Sequence, residues 1–258
     1  SQERGSRLVQ AGRDFRYDYL PPRQIEQSSG LGEIHYYRAA ETSPNFVPAF
    51  QNVQLTMLGE HQAANAAVAL ATIDVLREQG WRIRERDARH ALATVQSPAR
   101  VEVVARHPTV IIDAAHNAAS IAALLTTLDA SFAARRRVLI FACARDKDAR
   151  AMLALALPCF DQVIFTRFTK NPRGLSVVEL TSLAVELGGE HCRPCERPGE
   201  AWEVARSLLA PTDLLCVTGS FFIAAEMKQE MDRRPLSQRN GEVAHALRAA
   251  GDFEDRGG

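Results

Sequence analysis

Val110-Ile-Ile-Asp-Ala-Ala-His-Asn117 is a short apolar run that stops abruptly at a carboxylate, an imidazole and an amide. Its three β-branched residues favour a strand. Asp113, His116 and Asn117 fall where that strand gives way to a loop. From Ile121 to Phe132 the apolar residues then recur at helical spacing. The same unit repeats downstream. Val138–Ala142 reads as a strand before a helix over Asp148–Leu157, and Gln162–Phe165 as a strand before Val177–Leu187. His191–Arg193 reads as a short edge strand before Glu200–Leu209, and Leu214–Val217 as a strand before Phe221–Gln229. Val101–Val104 adds a short apolar strand in front. Strand–helix alternation with short connections implies right-handed crossovers, and continuous apolar strands imply burial on both faces. The expected fold class is therefore α/β: a mostly parallel Rossmann-like sheet with helices on both faces.

In such sheets ligands bind beyond the carboxyl ends of the strands. That rule selects Asp113–Asn117, Ala144–Asp148, Thr166–Arg173 and Thr218–Ser220, each following an apolar strand. None is a Walker A loop or a GxGxxG turn, so a nucleotide would be held by side chains. Every candidate also has a plainer reading. Asp113 can accept from ribose hydroxyls or assist a metal-bound phosphate, or it can form the turn before the next helix. His116 can stack on adenine or bind a carboxylate, beside Asn117 as a helix cap. Asp146-Lys147-Asp148 can line a cleft or be a solvated turn with Asp148 as cap. Ser220 is a natural cap for the following helix, whose amides also suit a carboxylate.

Upstream the pattern differs. Phe15–Tyr19 and Glu33–Arg38 read as antiparallel strands between turn-rich pieces such as Pro21-Pro22 and Ser28–Gly32. They carry few large aliphatic residues, and read as the end of a unit that begins earlier. An alanine-rich helix follows Leu58-Gly-Glu-His-Gln62, with Ala66, Ala69, Leu70, Ile73 and Leu76 on one stripe and Gly80 as its stop. A second helix is expected over Asp87–Val95 with Asp87 as its cap. Ser97-Pro98 breaks the pattern. The expected division is a first unit over 1–97, an α/β unit over 98–231 and a polar tail over 232–258, with a short helix at Val243–Ala249.

Lys+Arg and Asp+Glu balance at 31 each, which gives no electrostatic reason to expect nucleic acid or a membrane surface. No apolar run approaches the roughly 20 residues of a membrane span, and the start has no apolar core of a signal peptide. Five cysteines without a secretion signal favour reduced thiols and a cytoplasmic protein. Cys192-Arg-Pro-Cys195 has only His191 nearby as a further ligand, so it reads as structural rather than as a zinc or redox pair.

Five blocks together resemble one family. Gly12-Arg-Asp-Phe15, Leu58-Gly-Glu-His-Gln-Ala-Ala-Asn65, Arg100-Val-Glu102 with Pro108 and Asp113–Asn117, Asp146-Lys-Asp148 with Met152, and Val217-Thr-Gly-Ser-Phe-Phe222 occur in this order over about residues 12–227. They are similar to the GxDF, LxGxHQxxNAAxA, GRxE…P…DGAHN, DKDxxxM and VTGSLY segments of folylpolyglutamate and dihydrofolate synthases, of the Mur ligase type. The resemblance implies the C-terminal end of a central ATP-binding domain followed by the Mur ligase C-terminal domain. It implies an ATP-dependent ligase that adds L-glutamate to folate or dihydropteroate through an acyl phosphate, acting as a monomer. ATP would lie between the two domains. By resemblance Asn65 contacts the adenine end, Arg100 the phosphates and Asp113 the nucleotide. His116 lies near ATP or the incoming glutamate, and Ser220 is a candidate for the glutamate carboxylate. Mg2+ ligands, the P-loop and a carbamylated lysine are expected upstream, so these 258 residues alone are expected neither to hydrolyse ATP nor to ligate glutamate.

Two residues depart from the pattern. Ala114 stands where the family has the glycine of DGAHN, placing a Cβ near the ligand path. Ala99 replaces the glycine before the arginine, which stiffens the expected hinge. Two other readings compete: a Mur ligase acting on a peptidoglycan precursor, and a non-catalytic nucleotide-binding module. A Rossmann dehydrogenase or methyltransferase is disfavoured by the missing glycine fingerprint.

Overall fold

The computed structural model describes residues 7–28, 30–40 and 45–236. Its first sheet is an antiparallel meander of β1 (Phe15–Leu20), β2 (Gly32–Ala39) and β3 (Phe46–Leu55). Helix α1 (Glu60–Glu78) and helix α2 (Glu85–Thr94) follow it. Phe15, Ile34, Tyr36, Phe50, Val53 and Leu55 close a core against Ala63, Ala66, Ala67, Leu70 and Ala71 of α1 and Ala88 of α2. Small alanines let the α1 axis lie close to the aromatic face of the sheet, and aromatic area dominates the burial there.

The structure corrects several expectations here. Sequence reading missed β3, whose Pro48, Gln51 and Asn52 interrupt the apolar alternation and whose pairing with β2 is irregular around Tyr36. The buried stripe of α1 includes Gln62, Ala63 and Ala67 and leaves Ala69 exposed, because alanine alone cannot show which side of a helix faces inward. Helix α2 starts at Glu85 with Arg84 as its cap residue, not at Asp87. Asp87 instead lies in the first turn, where its carboxylate accepts from Arg84 Nε at 2.7 Å and complements the helix dipole.

The second sheet has strand order β4-β5-β9-β6-β7-β8. Its strands are β4 (Glu102–Ala105), β5 (Thr109–Ile112), β6 (Arg137–Phe141), β7 (Gln162–Phe165), β8 (Cys192–Pro194) and β9 (Leu214–Thr218). Only β4 runs antiparallel to its neighbour; β5, β9, β6, β7 and β8 are mutually parallel. Alternation along the strands splits the core in two. Ile111, Leu139, Phe141, Val163, Phe165 and Cys216 face α3 (Ala118–Ser131), α4 (Ala149–Ala156) and α5 (Val177–Glu186). Val110, Ile112, Val138, Ile140, Ile164, Leu215 and Val217 face α6 (Pro198–Leu208) and α7 (Phe221–Arg233). The α/β class and helices on both faces are as expected. Boundaries differ modestly: α6 begins at Pro198, a residue suited to the first helical position, and α7 runs past Gln229 to Arg233. The helix expected at Val243–Ala249 lies outside the described residues.

The two sheets meet through α1 and α3. Ile25 N–H donates to Ser131 O at 3.1 Å. Gly59, at φ +103°, leads into α1, and a Cβ there would sit 2.4 Å from Thr127 Oγ1 of α3. Glycine is required for so close an approach. No helix among the described residues is long and apolar enough to cross a membrane.

Candidate functional site

Register aligns the carboxyl ends of the parallel strands. Ile112 and Ile140 both pair with Val217, and Phe141 pairs with Phe165. The loops that follow therefore open on one edge of the sheet, and main-chain hydrogen bonds join them. Asp113 N–H extends the β5–β9 ladder to Val217 O at 2.9 Å, and Gly219 N–H reaches Ala115 O at 3.0 Å. Gly219 has φ +108°, and a Cβ on it would lie 2.6 Å from Ala142 O, so only glycine makes this crossing.

Asp113 is 5% exposed. Its Oδ1 accepts from Ala115 N–H at 2.7 Å and its Oδ2 from Val101 N–H at 2.9 Å. Burial pushes the carboxyl pKa up, against the pull of those two amides and of the nearby Arg100 and His61. The carboxylate thus ties the end of β5 to the segment that enters β4. That segment, Ala99-Arg100-Val101, has left-handed backbone at two non-glycine residues, φ +55° at Ala99 and +47° at Val101. Such backbone is costly for a β-branched side chain and persists only when neighbours over-determine it. Here Ala114 N–H donates to Ala99 O at 2.9 Å, Ala99 N–H donates to Glu102 Oε2 at 2.9 Å, and Lys228 of α7 holds the other oxygen of Glu102. The alanine in the glycine position accordingly sits in a left-handed conformation that glycine would adopt without strain.

Between the two strained residues, the Arg100 guanidinium lies over the Phe221 ring, 5.0 Å from its centroid. The His116 ring stands 6.1 Å from the same ring, tilted by 41°. His116 Nδ1 is 3.0 Å from Ala114 O. A carbonyl only accepts, so the Nδ1 that faces it carries a proton. Ser220 caps α7 by accepting from Phe222 N–H at 3.0 Å, and its own hydroxyl proton is still free to be donated. Asn117 caps α3 in a reciprocal box with Ser120. Asp113, His116, Ser220 and Arg100 therefore share one rim.

Asn65 sits apart from them on α1. It donates to Gln62 Oε1 at 3.2 Å and lines an apolar recess with Met57, Leu92 and Val95. Val95 also borders the recess that contains Arg100, with Leu58 and Val101. Asp148 caps α4 through Ala151 N–H at 2.9 Å, while Asp146 pairs with Lys147 at 3.3 Å.

Three rim groups escaped sequence reading. His61 lies within electrostatic reach of Asp113 and Arg100, has a buried Nδ1 with no hydrogen-bond partner, and has a pKa lowered chiefly by burial. Its position just after the Gly59 turn was the available signal. Glu226 of α7 accepts from Thr169 N–H, Thr169 Oγ1 and Lys170 N–H, pinning the Thr166–Arg173 loop. Phe221 looked like one more apolar helix residue. Among the described residues no group of three or more His, Cys, Asp and Glu is placed to hold a metal. Cys195 is buried with its thiol pushed up to about 11, and burial raises Cys192 as well. Neither thiol is poised as a thiolate.

Comparison with known proteins gives four findings. Residues 99–221 match the family "Mur ligase, glutamate ligase domain". The chain is 39% identical over 189 residues to a dihydrofolate synthase/folylpolyglutamate synthase of Mycobacterium tuberculosis, covering 72% of this chain and 36% of that protein. It is 29% identical over 184 residues to the folylpolyglutamate synthase of Lacticaseibacillus casei, covering 70% of this chain and 40% of that one. Among solved structures, the Mycobacterium tuberculosis folylpolyglutamate synthase complexed with ADP and AMPPCP superposes with a TM-score of 0.71 at 31% identity, over 86% of this chain and 48% of that one. The chain spans less than half the length of each of these relatives.

Proposed function

The chain belongs to the Mur ligase superfamily, as a relative of the folylpolyglutamate and dihydrofolate synthases, and from that premise we propose that it supplies the nucleotide- and glutamate-facing part of an ATP-dependent amide ligase. In this reading residues 1–97 end a central ATP-binding domain and 98–231 form the domain that closes over it. A folate or dihydropteroate carboxylate takes the terminal phosphoryl group of ATP. The amine of L-glutamate then attacks the acyl carbon, the amide forms, and phosphate leaves beside ADP.

The carrying observation is the Arg100 guanidinium. Among the described residues it has no carboxylate within ion-pair distance, and it lies over a ring at the rim shared by Asp113, His116 and Ser220. An unpaired guanidinium suits phosphoryl oxygens, so the residues present fit a nucleotide. Asp113 keeps free lone pairs for a nucleotide hydroxyl while its amides hold it. Asn65 bounds the adenine end. His116 offers a ring nitrogen to take a proton from the glutamate amine as it attacks. The Ser220 hydroxyl and the first amides of α7 receive the amino-acid carboxylate. Mg2+ would supply charge neutralisation on the phosphates; the described residues offer no dedicated cluster for it. The relative complexed with ADP and AMPPCP supports nucleotide binding.

Calorimetric titration of this chain with ADP tests the proposal. Binding is expected, with a loss of about tenfold or more in Arg100→Ala, the scale for removing a hydrogen bond to a charged group. An Arg100→Ala variant that binds ADP as tightly as its parent would refute the assignment. Without a P-loop in its sequence, the chain alone is expected to show no glutamate-dependent ADP release.

A further inference from the structure

We infer that Phe221 is a positioning residue, the aromatic shelf that holds the Arg100 guanidinium at the rim before a phosphate arrives. The inference rests on the nucleotide reading above and adds to it the group that sets where the arginine points.

Phe221 is the first residue of α7 and is 49% exposed. The helix does not need it for packing, since Ile223, Ala224 and Met227 fill the core below. Its neighbour Phe222 has a separate task, resting on Phe168 with ring centroids 5.1 Å apart. What Phe221 touches is the site itself: Arg100 at 5.0 Å over its face and His116 at 6.1 Å. The two belong to different segments, one entering β4 and the other leaving β5, and the ring stands between them.

The backbone that carries the shelf is held on several sides. Ser220 caps the turn, Gly219 packs against Ala142 O, and Gly219 N–H is bonded to Ala115 O. An arginine side chain loses much rotamer freedom when a ligand immobilises it. A ring quadrupole that already favours the cation over its face removes part of that loss in advance. Leucine at 221 would fill much of the same space without a quadrupole.

Two measurements on the full chain test this. The first is the Nε–Hε resonance of Arg100, assigned with Arg100→Lys. Stacking predicts an upfield ring-current shift and slow side-chain motion, both lost in Phe221→Leu and retained in Phe221→Tyr. The second is affinity for ADP against adenosine. Phe221→Leu is expected to weaken ADP about 2–5-fold, the range for one partly exposed cation–π contact, and to leave adenosine unchanged. Equal weakening of both ligands would mark a merely structural role and overturn the inference, as would an unshifted Arg100 resonance in the parent. If the parent binds neither ligand, the nucleotide reading fails, and the resonance alone decides whether the shelf exists.

Discussion

Gly219→Ala should damage this fold far more than an ordinary glycine substitution, and the structure provides its own control. Gly219 at φ +108° and Gly188 at φ +80° both have backbone that disfavours an L side chain. At each, that conformational penalty is about 1–2 kcal/mol. A Cβ on Gly188 meets nothing within 4 Å. On Gly219 it would meet Ala142 O at 2.6 Å and the Phe141 ring at 2.9 Å, between two central strands that cannot give way. Overpacking of that kind adds about 1–3 kcal/mol. Gly219→Ala should therefore cost about 2–5 kcal/mol in all. With a urea slope of about 3 kcal/mol/M, the unfolding midpoint should fall by about 0.7–1.7 M in Gly219→Ala and by about 0.3–0.7 M in Gly188→Ala. Equal midpoint losses in the two variants would refute the steric part of the reasoning. The shift that accommodates the new Cβ should also move Phe221 and Ser220, so Gly219→Ala should weaken ADP even under conditions where it is fully folded.

His61 has its pKa lowered by burial and by Arg100, so the folded chain favours the neutral ring. The associated stability is present above the ordinary histidine value of about 6.5 and is lost as pH falls through the lower folded value. Chemical unfolding at pH 7 and pH 5 should show a drop that is smaller in His61→Gln, and an identical drop would sink the assignment. Trp202 is buried and donates Nε1–H to Arg234 O at 2.9 Å. Trp202→Phe should cost about 2 kcal/mol from the lost hydrogen bond and volume. It should leave only the red-shifted, quencher-accessible emission of exposed Trp81; surviving blue emission would contradict the placement of Trp81. Cys159 and Cys192 are half-buried while Cys143, Cys195 and Cys216 are buried, and burial raises all five thiols. A thiol reagent should label two sites slowly in the folded chain and all five after unfolding. Rapid labelling of three or more would show the core assignment to be wrong.

The α/β half was legible because each strand is a compact apolar run ended by a turn, and each helix carries aliphatic residues at helical spacing. Asn117, Asp148 and Ser220 were readable as caps, since short polar side chains before an apolar-periodic run have that local use. The first half was less legible. The burial of α1 is written in alanines, which mark no face, and β3 is broken by Pro48 and by polar residues. At the rim, strand-end logic found Asp113, His116 and Ser220. It missed His61 and Phe221, whose importance arises from contacts across segments far apart in the chain: Phe221 with Arg100, and His61 with Asp113 and Arg100. Asp113 shows both faces of the problem. Its turn-forming reading and its binding reading are compatible, because two backbone amides occupy only part of what a carboxylate can accept.

Besides the carboxylates of Asp113, Glu102 and Glu226, main chain itself stitches the rim: Ala114 to Ala99, Asp113 to Val217, Gly219 to Ala115. Peptide groups are common to every residue but proline in making such bonds. The loops therefore stay docked through their backbone, and Ala99 and Ala114, where the resemblance leads one to expect glycine, still join the edge. For protein engineering this makes the edge a mounting plate: the side chains it merely displays can be rewritten, provided that the crossing glycine and the tying carboxylates Asp113, Glu102 and Glu226 are left untouched.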